Sequence, residues 1–170
     1  MTARMTRWAP SEAVLCLAGA DRTVDLGRWI APHLDAGDVL LLDGPLGAGK
    51  SHLARAIIQT RLNGEGRHED VTSPTLTLAQ VYDCAVPMVH ADLYRLADAG
   101  DAFELGLIEG FGTSITLIEW PAKLGALIPP DALTVRMAPD GSGDARVVRL
   151  SSASDRWAAL IADAARNFGP

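Results

Sequence analysis

Apolar and polar positions divide the chain into alternating strand-like and helix-like segments. Short apolar runs predict strands at residues 13–17, 39–42, 76–82, 86–91 and 115–118. The run at 39–42 is unbroken and follows Gly37 and Asp38, a pattern typical of a central strand in a parallel sheet. Two further runs, 133–137 and 146–150, flank the sequence Pro-Asp-Gly-Ser-Gly-Asp and predict a β-hairpin.

Helical composition or spacing predicts four helices between these strands. The first has Asp21 as its predicted cap, and we expect Pro32 to kink it or end it early. The second covers 51–62, the third is weakly amphipathic over 98–111, and the last follows Ser154 as its cap. The apolar faces of the first, third and last helices comprise Leu26, Trp29, Ile30, Leu34, Phe103, Leu107, Phe111, Trp157, Leu160, Ile161, Ala164, Ala165 and Phe168.

The alternation of strands and helices predicts an α/β fold. A polar, glycine-containing stretch at 63–70 predicts a mobile surface loop. Because no repeat, low-complexity tract or linker divides the chain, we expect one domain over residues 1–170.

Composition and charge narrow the class of protein. The formal net charge of −6 argues against a generally basic nucleic-acid binder. The two cysteines, Cys16 and Cys84, are too few for a disulfide framework or a zinc ligand set, which fits the reducing cytoplasm. The longest apolar run, residues 13–20, has eight residues, too few to span a membrane. We therefore expect a cytoplasmic protein without a membrane segment.

A phosphate-binding motif, G-x-x-x-x-G-K-S, lies between the strand at 39–42 and the helix at 51–62. Glycines allow the backbone to curl so that N–H groups point at phosphate oxygens, and the helix adds its positive N-terminal end. Lys50 is expected to reach the β- and γ-phosphates, and the Ser51 hydroxyl to bind Mg²⁺. The alternative is a glycine-rich turn that binds nothing. The predicted loop and its flank are Gly44, Pro45, Leu46, Gly47, Ala48, Gly49, Lys50, Ser51 and His52.

Two acids are placed to complete such a site. Asp92 and Glu119 each follow an apolar strand, and the carboxyl ends of parallel strands meet at one edge of a sheet. Either acid taken alone is also compatible with a helix cap or a surface carboxylate. His90 lies two residues before Asp92 and is placed to support it, although a packed structural histidine is equally compatible. Trp120 is compatible with a position in the core.

Two further features bear on the nucleotide. Thr75 lies in Ser-Pro-Thr, where hydroxyl groups can sense a γ-phosphate or its metal, although Ser-Pro is also ordinary turn chemistry. The only asparagines are Asn63 and Asn167, so the Asn-Lys-x-Asp guanine motif is absent, which favours ATP.

These motifs in this order resemble the bacterial TsaE family, formerly YjeE, of P-loop ATPases. The resemblance runs from about Asp21 to Asp131 and rests on five segments. They are GPLGAGKS at 44–51, VTSPTLTL at 71–78, HADLYRL at 90–96, FELGLIEGF at 103–111 and LIEWPAKLG at 117–125. The phosphate-binding motif alone is generic, whereas the ordered set is specific.

The resemblance implies a P-loop NTPase-like three-layer fold, with a mainly parallel central sheet flanked by helices. It implies binding of ATP and Mg²⁺, and hydrolysis of ATP while docked on the partners TsaB and TsaD. In that family TsaD transfers threonylcarbamoyl to tRNAs that read ANN codons, so tRNA is met indirectly, through the complex.

Roles for individual residues also follow from the resemblance. Lys50 holds phosphate, and Ser51 and Glu119 are linked to the metal. Thr75 lies in a switch-like segment, Asp92 is a functional acid, and Trp120 adjoins the nucleotide. The predicted catalytic residues are Lys50, Asp92 and Glu119.

The sequence departs from the family pattern at several positions. The family usually has Asp at Pro45, Thr at Ser51 and Thr at His52. Phe or Tyr is common at Leu76, and Glu is frequent at Ala122. Ser51 keeps the hydroxyl ligand, so Mg²⁺ binding should persist. The other changes bear on rates and partner contacts.

The function expected from these features is a Mg²⁺-dependent ATPase that is slow without partners. Two alternatives stay open at this point. One is a small-molecule kinase, which would normally need an arginine-rich lid and an acceptor pocket. The other is a docking module in which ATP orders the switch-like segment without turnover.

Overall fold

The computed structural model describes residues 11–170, so the first ten residues of the predicted domain lie outside the described part. The strands are β1 (Ser11–Leu17), β2 (Val39–Asp43), β3 (Ala79–Tyr82), β4 (Met88–Asp92), β5 (Ile115–Glu119), β6 (Leu133–Pro139) and β7 (Arg146–Ser152). The α-helices are α1 (Ala20–Ile30), α2 (Lys50–Gly64), α3 (Asp101–Glu104), α4 (Leu107–Gly110) and α5 (Ala158–Phe168). Short 3-10 helices cover Ala31–His33, Pro121–Leu127 and Asp155–Trp157.

One seven-stranded sheet organises these elements in the order β1-β7-β6-β2-β5-β4-β3. Strand β2 lies at its centre and pairs in parallel with β5 and β6, and β4 pairs in parallel with β5. The pairs β1–β7, β6–β7 and β3–β4 are antiparallel. The predicted α/β fold is therefore confirmed, with parallel pairing in the centre and antiparallel pairing at both flanks.

Helices cover both faces of the sheet, which explains the unbroken apolar run of β2. Leu40 and Leu42 join one hydrophobic cluster with α1, α2 and α5. Val39 and Leu41 join the opposite cluster, with α3, α4 and the 3-10 helix Pro121–Leu127. Because successive residues of a strand point to opposite faces, every position of a doubly covered strand is buried. This layering leaves the carboxyl edge of the sheet open beside the glycine-rich loop.

Several predicted boundaries are wrong for local reasons. The strand predicted at 76–82 begins only at Ala79, because residues 75–77 form a turn and Leu78 has a positive φ of 64°. The helix predicted at 98–111 is two short helices, because Gly106 adopts a φ of 67° between them. Asp21 lies inside α1, whose cap is Gly19 and has no side-chain hydrogen bond.

Other predicted features are confirmed. Pro32 lies in a 3-10 turn directly after α1, so the helix ends early as expected. The Ser154 side chain accepts a hydrogen bond from the backbone of Arg156 and caps the 3-10 turn that leads into α5. Strands β6 and β7 form the predicted hairpin. Within residues 11–170, no helix combines the length and the apolar character that crossing a membrane requires.

Gly27 lies where α1 packs tightly against α2, and a substitution there should destabilise the fold. A Cβ added at Gly27 would lie 2.6 Å from Ala56 Cβ and 3.3 Å from the Leu53 carbonyl oxygen. We expect Gly27→Ala to lower the free energy of unfolding by about 1–3 kcal/mol. Gly64→Ala is the matched control, because nothing lies within 4 Å of its added Cβ. Urea unfolding of both variants checks this, and equal midpoints would contradict it.

Candidate functional site

The loop between β2 and α2 is shaped by three glycines with positive φ. Gly44, Gly47 and Gly49 have φ values of 144°, 77° and 102°. A Cβ on Gly44 would lie 2.2 Å from the Met137 carbonyl oxygen, so the loop packs directly against β6. Gly44 must adopt a positive φ and must also lack a Cβ that would collide with Met137. Only glycine satisfies both requirements. The loop therefore curls tightly around the first turn of α2.

Lys50 places a positive charge inside this loop. Its side chain donates hydrogen bonds from Nζ to the carbonyl oxygens of Gly44 (2.6 Å) and Pro45 (2.9 Å). The same atom lies 4.0 Å from the centre of the Trp120 ring. Burial lowers the pKa of Lys50, and the nearby carboxylate of Glu119 opposes that shift. Lys50 is thus a buried cation whose hydrogen bonds are to backbone oxygens that a phosphate can replace.

A short chain of hydrogen bonds links Ser51, Glu119 and His90. The Ser51 hydroxyl donates to Glu119 Oε2 at 2.8 Å, and His90 Nε2 lies 2.8 Å from Glu119 Oε1. Glu119 is 2% exposed and ends β5. The expectation that His90 supports Asp92 is wrong: residues two apart on one strand are separated along it, and the ring instead reaches across to the neighbouring strand.

Asp92 ends β4 directly opposite Glu119 in the strand register. Its Oδ2 accepts a hydrogen bond from the Thr75 hydroxyl at 3.2 Å, and its Oδ1 accepts one from the backbone of Tyr94 at 3.0 Å. Asp92 is therefore joined to the segment that contains Thr75, whereas Glu119 is joined to the helix that contains Ser51. The structure brings both acids to one edge of the sheet.

A cavity of about 380 Å³ opens at this edge. Of the residues predicted for the site, those that line it are Leu46, Gly47, Ala48, Gly49, Lys50, Ser51, His52, Thr75, Asp92, Glu119 and Trp120. Gly44 and Pro45 do not line the cavity; their carbonyl oxygens hold Lys50. Trp120 is half-buried rather than part of the core, and its ring lies 4.9 Å from that of Tyr94.

Sequence reasoning missed two residues that line the cavity, Arg55 and Tyr94. Arg55 lies one helical turn after Ser51, so its position on the same face of α2 was available from spacing. Tyr94 lies within the HADLYRL segment, but nothing in the sequence indicates that it faces Trp120.

A smaller cavity of about 150 Å³ adjoins the first and shares Gly49 and His52 with it. Arg146 lines this second cavity and was also missed. Its guanidinium donates to the carbonyl oxygens of Ala48 (3.0 Å) and Gly47 (3.2 Å) in the loop, and to that of Ala145 (2.9 Å) in the hairpin. Arg146 thereby ties the glycine-rich loop to the β6–β7 hairpin.

Removing the hydrogen bonds between Arg146 and the glycine-rich loop should weaken nucleotide binding. We expect Arg146→Gln to raise the Kd for ATP about tenfold, because a charged donor to two loop carbonyls is lost. Arg149→Gln is the matched control on the same strand, since Arg149 pairs with Glu12 on the exposed side of β1. Calorimetric titration of both variants checks this, and equal affinities would contradict it.

The oxygens at the head of α2 fit a magnesium ion. Mg²⁺ prefers oxygen ligands and keeps several waters and phosphate oxygens in its shell. Ser51 Oγ and Glu119 Oε2 are two such oxygen ligands, and they lie 2.8 Å apart. No cluster of three or more His, Cys, Asp or Glu within residues 11–170 is suited to hold a metal by itself. These two oxygens therefore fit a metal ion whose remaining ligands are oxygens of a bound phosphate and water.

The loop at the end of β2, the lysine within it and the acid at the end of the neighbouring parallel strand are features of P-loop proteins, which bind nucleotide phosphates. The model of one P-loop family, "Threonylcarbamoyl adenosine biosynthesis protein TsaE", matches residues 17–148. The chain belongs to the TsaE family.

Named relatives agree with this assignment, and a solved structure shares the fold. The TsaE protein of Treponema pallidum is 34% identical over 129 residues, which cover 72% of this chain and 93% of the relative. That of Streptomyces coelicolor is 35% identical over 141 residues, covering 79% and 93%. That of Haemophilus influenzae is 39% identical over 120 residues, covering 69% and 72%. A crystal structure of Bacillus YdiB, 23% identical, shares the fold with a TM-score of 0.70 over 94% of this chain and 97% of that one.

Proposed function

We propose that this chain is a Mg²⁺-dependent ATPase subunit of the machinery that makes threonylcarbamoyladenosine in tRNA. It hydrolyses ATP when docked on TsaB and TsaD, and is required for modification of tRNAs that read ANN codons. The observation that carries the ATPase proposal is the 2.8 Å hydrogen bond between Ser51 and Glu119 beside the buried Lys50. Membership of the TsaE family supports the pathway.

The reaction is transfer of the γ-phosphoryl group to water. Lys50 and the backbone N–H groups of the loop stabilise negative charge on the β- and γ-phosphates. Bound Mg²⁺ supplies further neutralisation of that charge, and Ser51 and Glu119 would hold it. Because such a reaction needs little covalent chemistry from the protein, positioning and charge account for most of the rate.

The contacts of the two acids support a division of labour between them. Glu119 is joined to Ser51 and therefore serves the metal side of the phosphates. Asp92 is joined to Thr75, whose exposed segment is the switch-like part of the site. We assign Asp92 to the attacking water, with Thr75 reporting the presence of the γ-phosphate.

The nucleotide base occupies the smaller cavity in this proposal. That cavity adjoins the loop at Gly49 and His52 and extends towards Thr23 on α1. A triphosphate held by the loop places its α-phosphate near the start of α2, so the base continues in this direction. The absence of the guanine motif favours adenine.

The rim of the larger cavity supports dependence on partners. Two of its lining residues, Leu46 and Tyr94, are 80% and 53% exposed, and Leu76, which follows the lining residue Thr75 in the chain, is 85% exposed. Apolar side chains clustered around a polar site are typical of surfaces that another protein covers. We infer that the partners cover this rim in the cytoplasm, and that the acidic chain meets tRNA only through them.

The test is phosphate release from Mg-ATP by the purified chain, with and without the TsaB–TsaD complex of its organism. Stimulation that vanishes in Lys50→Ala but persists in Lys123→Ala supports the proposal; Lys123 is the only other lysine. Transfer of phosphate to a metabolite would instead identify a kinase. Nucleotide-dependent association with unchanged ATP would identify a docking module.

A further inference from the structure

His90 is a buried polar residue that the proposed reaction does not use. It lies within β4, and its exposure is 0%. Its Nε2 atom lies 2.8 Å from Glu119 Oε1, and its Nδ1 atom has no hydrogen-bond partner among residues 11–170. Burying an imidazole with one nitrogen unpaired is costly. The contact with Glu119 is thus the polar interaction that offsets this cost.

The chemistry of the two groups sets the direction of this hydrogen bond. An ionised carboxylate only accepts hydrogen bonds, so Nε2 must carry a hydrogen. In the neutral ring this leaves Nδ1 as an unpaired acceptor, which is better tolerated when buried than an unpaired N–H. His90 therefore donates to Oε1 of Glu119.

This donation determines where the other carboxylate oxygen points. Glu119 Oε1 is held by His90, and Oε2 accepts from the Ser51 hydroxyl at 2.8 Å. The carboxylate is thereby held at both oxygens, with one oxygen directed at the head of α2. Without His90, the terminal torsion of Glu119 would be free to turn Oε2 away, because such torsions are broad.

We propose that His90 is the positioning residue of Glu119: it holds the carboxylate so that Oε2 faces Ser51 and the metal bound there. This inference rests on the proposed Mg²⁺ site, but not on turnover. A partner that orients a metal-binding carboxylate typically changes metal affinity 10- to 100-fold. A histidine that only packs in the core would change stability and leave the metal requirement as it was.

The experiment measures the Mg²⁺ concentration needed for half-maximal tight binding of a non-hydrolysable ATP analogue. His90→Leu removes the donor, whereas His90→Gln places an amide N–H near the position of Nε2. We expect the leucine variant to need at least about tenfold more Mg²⁺, and the glutamine variant to stay within about threefold of the wild type. Affinity for the analogue in EDTA should be the same in all three proteins. The readout does not depend on hydrolysis, so it tests His90 separately from the ATPase proposal.

Two results would overturn the positioning role. One is a leucine variant with the metal requirement of the wild type. The other is equal weakening with Mg²⁺ and in EDTA, which indicates a packing defect. Nitrogen NMR of the wild-type protein with labelled histidine gives an independent test that needs no variant: His90 should carry its hydrogen on Nε2, and a hydrogen on Nδ1 alone would exclude the proposed donation.

Discussion

Replacing Lys50 with alanine should abolish tight binding of Mg-ATP, with a loss in affinity of about 100-fold or more. Lys50 is the cation at the end of the loop, and its Nζ atom donates hydrogen bonds to the carbonyl oxygens of Gly44 and Pro45. A bound phosphate would replace these neutral carbonyl acceptors with anionic oxygens, which attract the ammonium group more strongly. Alanine removes that attraction entirely.

Calorimetry or fluorescence titration of nucleotide provides the measurement for Lys50. Lys123→Ala serves as the control, because Lys123 donates to the Leu96 carbonyl oxygen and does not line the cavity. Burial lowers the pKa of Lys50, so its charge is held at some cost to the folded state. Removing this charge should therefore leave the protein folded, and we expect Lys50→Ala to unfold in a cooperative transition. Nucleotide affinity within threefold of the wild type would contradict the assignment of Lys50 to the phosphates.

Substitution of Glu119 should separate turnover from binding. We expect Glu119→Ala to reduce the stimulated rate of ATP hydrolysis about 100-fold or more, while nucleotide affinity at saturating Mg²⁺ falls far less. The reason is that Glu119 contacts Ser51 on the metal side of the site, whereas Lys50 and the loop hold the phosphates themselves. Interactions that strengthen in the transition state affect kcat more than ground-state binding.

Single-turnover hydrolysis and equilibrium titration of the same preparations test this separation. Glu119→Gln keeps the volume of the side chain and controls for the buried space that alanine leaves. Glu109→Ala controls for the loss of one acidic residue, since Glu109 is exposed on α4. Equal losses of binding and turnover in the Lys50 and Glu119 variants would rule out the assigned division of roles.

Features of the site that depend on neighbouring residues could be predicted from the sequence. The phosphate-binding loop needs glycines, a lysine and a hydroxyl within one turn, and all of them are adjacent along the chain. The parallel centre of the sheet could be predicted because residues 39–42 of β2 are all apolar, which reflects burial on both faces.

Features of the site that depend on strand register or on distant segments could not be predicted from the sequence. His90 and Glu119 meet only because β4 and β5 pair in the register that sets Asp92 opposite Glu119. Arg146 reaches the loop only because β6 lies beside β2 and β7 lies beside β6. Gly106 interrupts a helical pattern by a backbone conformation that spacing does not indicate.

The placement of β1 has a consequence for how the chain folds. Its register runs from Ser11 paired with Ser152 to Leu17 paired with Arg146, so the first described strand pairs with the last. Contacts this distant along the chain form slowly, because the loop must close before they contribute. During synthesis, β2, β5 and β4 can assemble first, while β1 waits for the hairpin to leave the ribosome. Since Arg146 in that hairpin donates hydrogen bonds to the loop, we expect full affinity for nucleotide to be reached only after β6 and β7 have been made and have joined the sheet.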